Sequence, residues 1–132
     1  MGPEGFFVDT AEDFAEVAAE LGLEGPENDG TMVLFPVVRY RTDRVRYDFG
    51  IDVRERHSVA RVSLRTDSGA LTMNLTDLAE ALGVMDRTRK GRLKDSPGLN
   101  GPLVRLVHPL VTGEGAEELM RAAGAKEYTR FW

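Results

Sequence analysis

No cysteine occurs in the 132 residues, which excludes disulfides, thiolate metal sites and cysteine nucleophiles. Such a composition fits a reducing compartment, and the cytoplasm is the expected location. Histidine is nearly as scarce. His57 and His108 are the two, without HxxxH or HExxH spacing, so no metal-site motif is present and no cofactor is expected. Nowhere do eighteen apolar residues follow one another, and Met1 to Val8 has neither a basic opening nor a long apolar run. Neither export nor membrane spanning is indicated. Lysine is also rare, at three against 14 arginines. Bidentate phosphate or carboxylate recognition would use that bias, but a GC-rich coding sequence produces it as well.

Positive charge is missing from one place in particular. Residues 1–30 carry nine acidic side chains and no Lys or Arg, whereas residues 31–132 carry 17 basic against 13 acidic ones. The formal net charge of −5 thus conceals a dipolar chain, whose acidic opening and Arg-rich body either satisfy each other or present one charged surface to a partner. With 42% apolar and 30% charged residues, residues 1–132 read as a single folded domain with enough apolar surface for one core.

The fold class read from the pattern is α+β, an antiparallel meander of about four to six strands with an N-terminal helix, a short central helix and a C-terminal helix. Thr10 and Asp13 form a capping-box pattern ahead of Phe14, Val17, Ala18 and Leu21, which predicts a helix over Ala11 to Leu21, stopped by Gly22. Gly25, Pro26, Asn28, Asp29 and Gly30 predict a loop. From Val45 to Arg54 the period is two: Val45, Tyr47, Phe49, Ile51 and Val53 alternate with mostly charged residues, the clearest strand signal in the chain. Met32 to Arg41 is its expected hairpin partner across Thr42 and Asp43, with Pro36 favouring an edge or a bulge. Ser58 to Arg65 and Ala70 to Leu75 read as further strands, joined at Asp67, Ser68 and Gly69.

Thr76 or Asp77 is positioned to cap a short helix ending near Gly83. Asp86 to Pro102 reads as a flexible basic loop holding Arg87, Arg89, Lys90, Arg92 and Lys94. Leu103 to Val107 is expected as a buried strand, and Thr112 as the cap of a last helix carrying Ala116, Leu119, Met120 and Ala123 and closed by Gly124. The aromatic tail Tyr128 to Trp132 is expected to add a strand, pack over the sheet or pair with a second copy as a dimer.

Catalytic signatures are sparse. There is no GxSxG elbow, no GxGxxG after a strand and no GxxxxGK[ST]. A lone base at His57 or His108 is the remaining enzymatic reading, a small enzyme being the third choice. Leu78 to Val84, with Thr76 and Asp77 before it and Asp86 to Arg89 after it, resembles the first helix and turn of bacterial helix-turn-helix regulators. The resemblance covers about fifteen residues; Lys90 to Pro97 offers only Leu93 as an apolar anchor for a recognition helix, and a preceding meander does not suit that architecture.

Two binding surfaces remain. Glu12, Asp13, Glu16 and Glu20 share one face of the first helix, extended in the chain by Glu24, Glu27 and Asp29, and would meet the basic surface of another protein. In size, acidity and lack of cysteine the chain looks like inhibitors and immunity proteins that neutralise basic nuclease-type toxins. The reading that follows is a non-enzymatic protein-interaction domain acting by occlusion. The alternative is a phosphate or nucleic-acid site built from Arg87, Arg89, Lys90 and Arg92 with Arg44, Arg46 and Arg61 of the strands. No membrane partner is expected.

Overall fold

The period-two segment from Val45 becomes β3 (Val45–Asp52), the third strand of a six-stranded sheet. The computed structural model describes residues 3–29, 37–52, 57–84 and 100–129. Its strands are β1 (Glu24–Asp29), β2 (Val37–Arg41), β3, β4 (His57–Thr66), β5 (Gly69–Asn74) and β6 (Lys126–Tyr128). They lie side by side in chain order, every neighbouring pair antiparallel. The helices among the described residues are α1 (Pro3–Leu21), α2 (Leu75–Ala81), α3 (Asn100–Val111) and α4 (Ala116–Ala122). The protein is thus α+β, with helices at both ends of the chain and a short one between.

Pairing of like with like across the strands fixes which face meets the helices. Val45, Tyr47 and Phe49 of β3 oppose Leu64, Val62 and Ala60 of β4, and all six are at most 4% exposed. Leu71 continues the apolar layer into β5, and Val38 and Tyr40 into β2. α1 lays Thr10, Phe14, Val17 and Ala18 toward this layer, one stripe of a 3.6-residue repeat. Phe14 meets the rings of Tyr40 and Phe49 at centroid distances of 4.6 and 4.9 Å, the latter edge-on. α3 packs against α1, α2 and α4, so the helices close over the sheet as one layer.

Four expectations give way to tertiary context. Leu103 to Val107 is not a strand but the middle of α3, which buries Leu103, Val104, Val107, His108 and Val111 along one stripe. Its β-branched residues and Pro109 argue against a helix locally, yet Pro109 stands exposed near the C-terminal end, where it removes one backbone bond and the buried stripe outweighs the loss. Gly25 to Asp29 is not a loop but most of β1, an edge strand with an irregular register between Glu24 and Glu27. Gly25 takes φ +134°, and a Cβ there would stand 2.6 Å from the Arg39 carbonyl oxygen, so the turn-type residue serves a close strand crossing. α1 starts at Pro3, which is suited to a first turn, so Thr10 lies inside the helix and is not its cap. Asn100 to Pro102 open α3, so the expected flexible loop is helical at that end; the rest of it, 86–99, falls outside the described residues.

Two caps also differ. Asn74, whose Oδ1 accepts from the Thr76 and Asp77 amides, caps α2 in place of Thr76 or Asp77. Gly115 takes the N-cap of α4, while Thr112 instead donates its hydroxyl to the His108 carbonyl at 2.7 Å. Of the expected tail only Tyr128 enters a strand, as the last residue of β6 (Lys126–Tyr128), and residues 130–132 lie outside the described set.

Phe14→Ala removes the ring that ties α1 to β2 and β3 and should lower stability by roughly 3–5 kcal/mol in urea denaturation. Gly69 abuts the Tyr128 carbonyl so closely that an added Cβ collides with it. Gly69→Ala should therefore abolish amide-exchange protection at Lys126 to Tyr128 while the Phe49 amide stays protected.

Candidate functional site

The acidic face of α1 forms as the spacing predicts. Glu12, Asp13, Glu16 and Glu20 recur at helical intervals opposite the buried stripe, Asp9 joins them because α1 starts at Pro3, and all five are exposed. Its C-terminal part is met from within the fold by Arg105 of α3, whose Nε stands 2.8 Å from Glu20 Oε2 and whose Nη2 stands 3.8 Å from Glu16 Oε1. Glu16 remains 90% exposed in that arrangement and Glu20 53%. Asp9, Glu12 and Asp13 form no ion pair among the described residues.

The strand arginines meet a different fate. Register places Glu27, Arg39, Asp48, Arg61 and Asn74 in one row across β1 to β5 on the face away from the helices. Asp48 accepts from Arg39 Nε at 2.6 Å through one oxygen and from Arg46 Nε at 3.0 Å through the other. Arg41 and Arg46 oppose each other directly across the strands, a repulsive pairing, but Arg41 turns to Glu27 at 3.0 Å and Arg46 to Asp48. Arg46 is only 9% exposed. Burial lowers its pKa from the ordinary arginine value, with Asp48 opposing the shift and Arg39 and Arg41 adding to it. Arg44 and Arg65 reach carbonyls of each other's hairpin, those of Arg65 and Asp43, at 3.5 Å. Of the arginines assigned to an anion site, Arg46 is therefore drawn inward and Arg44 tied to a turn, whereas Arg61 is exposed; Arg87, Arg89, Lys90 and Arg92 lie outside the described residues.

His108 is buried with its Nδ1 2.7 Å from the Tyr47 hydroxyl. Burial pushes the Tyr47 phenol far above its usual range, so the hydroxyl keeps its proton and shares one hydrogen bond with Nδ1, whose direction the imidazole tautomer sets. Burial lowers the His108 pKa as well, which favours the neutral ring. The pair joins α3 to β3. His57 begins β4, opposite Asp52, on a different element.

A cleft of about 610 Å3 opens beside α2, bordered by Arg61, Asn74, Asp77, Glu80, Lys126 and Tyr128. No grouping of three or more His, Cys, Asp or Glu suited to a metal ion occurs among the described residues, and no helix among them is long and apolar enough to cross a membrane. Compared with known proteins, the chain matches no family model, no curated protein and no solved structure.

Pattern reading missed Arg105, because it assigned that residue to a strand, and it missed the cleft, whose walls come from β4, β5, α2 and β6. Asp48 was visible only as one of several carboxylates between arginines, and Tyr47 only as a core residue; their partners are fixed by register and by helix docking.

Asp48→Ala leaves two guanidiniums, with side chains only 24% and 11% exposed, without their shared acceptor, and should cost about 2 kcal/mol in chemical denaturation. For His108 the folded pKa lies below the unfolded value of about 6.5, so the unfolded chain takes up the proton first. Its contribution to stability is complete above about pH 6.5 and is lost as pH falls toward the folded value. His108→Gln, which retains an acceptor for Tyr47, should flatten the decline in stability between about pH 7 and pH 5; an unchanged slope would place the acid sensitivity elsewhere.

Proposed function

We propose that this protein is a non-enzymatic interaction domain, an inhibitor or immunity-type binder that presents the acidic face of α1 to a basic surface and occludes it. The observation that carries the reading is the contrast between the two charge sets. The sheet arginines Arg39, Arg41 and Arg46 are bound to carboxylates within the fold, whereas Asp9, Glu12 and Asp13 stand exposed with no ion pair among the described residues. Arg105 anchors the far end of the stripe, so the contact surface centres on Glu12, Asp13 and Glu16, with Glu20 partly engaged. Exposed carboxylates of this kind act mainly on association rate and partner choice, since each is well hydrated and screened by salt.

The test compares the wild-type chain with Glu12→Lys/Asp13→Lys/Glu16→Lys as baits in a lysate at low ionic strength, eluted by a salt step. A basic protein retained by the first and lost by the second, and binding the purified variant with an association rate about tenfold lower at unchanged melting temperature, is the expected result. Equal recovery on both baits removes α1 from the interaction. Retention of nuclease-sensitive nucleic acid by both would transfer the function to the arginines of the alternative site.

A further inference from the structure

We propose that the cleft beside α2 binds a zwitterionic amino compound, a free amino acid or short peptide whose carboxylate and ammonium groups are both recognised. The cleft exists because β6 is short. It pairs only with Ala70 to Thr72, so Met73 and Asn74 run on past the end of their neighbour, and the step in the sheet edge is flanked by α2 and by the turn between α4 and β6. Its volume of about 610 Å3 falls inside the range of small-molecule sites, roughly 300–1,000 Å3.

Charge defines the ligand. Arg61 pairs in register with Asn74, and Lys126 with Thr72, so the two cations rise from the same face of the sheet on opposite sides of β5. Asp77 and Glu80, three residues apart, stand on one side of α2 and border the same space. Arg61, Lys126 and Asp77 take part in no ion pair among the described residues, although all three line one cleft. Two cations, Arg61 and Lys126, and a carboxylate, Asp77, that line one cavity without an ion pair among them maintain a field across it. A ligand of one sign is attracted by one kind of charge and repelled by the other, whereas a molecule carrying both charges satisfies both at once. Val59 and Met73 are among the apolar residues of the same lining, so an aliphatic or aromatic side chain on the ligand has somewhere to lie.

The inference is independent of the acidic face of α1, which contributes nothing to the cleft, and it is tested on the full chain. Backbone amide shifts of the labelled protein are followed during titration with L-leucine, L-phenylalanine and glycyl-L-leucine, with N-acetyl-L-leucine and L-leucinamide as analogues lacking one charge each. Saturable shifts centred on Asn74, Asp77, Gly124 and Lys126 are expected with at least one of the three zwitterions. Each singly charged analogue, and each of the exposed-residue variants Arg61→Gln and Asp77→Asn, should bind about tenfold more weakly or worse, as loss of one charge-assisted contact requires. The absence of saturable shifts at millimolar zwitterion, or shifts centred elsewhere, overturns the proposal. So does equal affinity for N-acetyl-L-leucine, which would leave an anion site, or for L-leucinamide, which would leave a cation site.

Discussion

The contact on which the fold turns is made by β3 with the helices laid across it. Phe49 receives Phe14 of α1 edge-on, and Tyr47, two residues away on the same face, receives His108 of α3. One contact is purely apolar and the other carries a buried hydrogen bond, so β3 fixes both the depth of the helix layer and its position. A phenol–imidazole pair in such a place favours one docking geometry, because sliding α3 along the sheet would leave two buried polar atoms unsatisfied. The apolar layer around it, from Val38 to Leu71, has no comparable directional requirement.

The other face of β3 obeys a different constraint. Arg46 and Asp48 project there between Arg39 and Arg41 of one neighbour and Arg61 of the other, so cations outnumber carboxylates on adjacent strands. Asp48 relieves this by dividing its two oxygens between Arg39 and Arg46, and Glu27 of the edge strand relieves Arg41. The irregular β1 register matters in that light, since it brings an acidic residue of the opening segment beside the basic strands. Part of the acidic start of the chain is thereby spent within the fold, through Glu27 to β2 and through Glu16 and Glu20 to α3. On α1, Asp9, Glu12 and Asp13 carry no such pair among the described residues, and Glu16, 3.8 Å from Arg105 and 90% exposed, stays open beside them to solvent or a partner.

The two proposed surfaces differ in the physics that would operate at them. On α1 the charges are of one sign, convex and hydrated, suited to steering and to discrimination between partners. In the cleft beside α2 the charges are of both signs and concave, so a small ligand would exchange solvent for fixed partners at both of its ends. Neither surface includes the His108 and Tyr47 pair, whose burial and mutual hydrogen bond give it a structural part in joining α3 to β3.

Local pattern was sufficient where one periodicity dominated. The alternation from Val45 onward, the Phe14, Val17, Ala18 and Leu21 stripe and the turn at Asp67 and Ser68 each specify an element without outside help, and together they imply an antiparallel sheet with a helix docked on it. Local pattern misled at Leu103 to Val107, where a short apolar run with valines resembles a strand, and at Gly25 to Asp29, where turn formers occupy an edge strand. There the outcome depends on what lies opposite: a core able to reward a helical stripe, and a neighbouring strand whose carbonyl approaches too closely for any side chain at position 25. The acidic row on α1 was legible because helical spacing alone aligns it. The sequence by itself determined the fold class, the core stripes of α1 and β3 and that row, since each follows from the period of a single segment. Only the tertiary structure decided which charges are consumed, which histidine is buried against which tyrosine, and where a cleft opens, because each of these joins residues from elements far apart in the chain, whose proximity is set by register and helix docking.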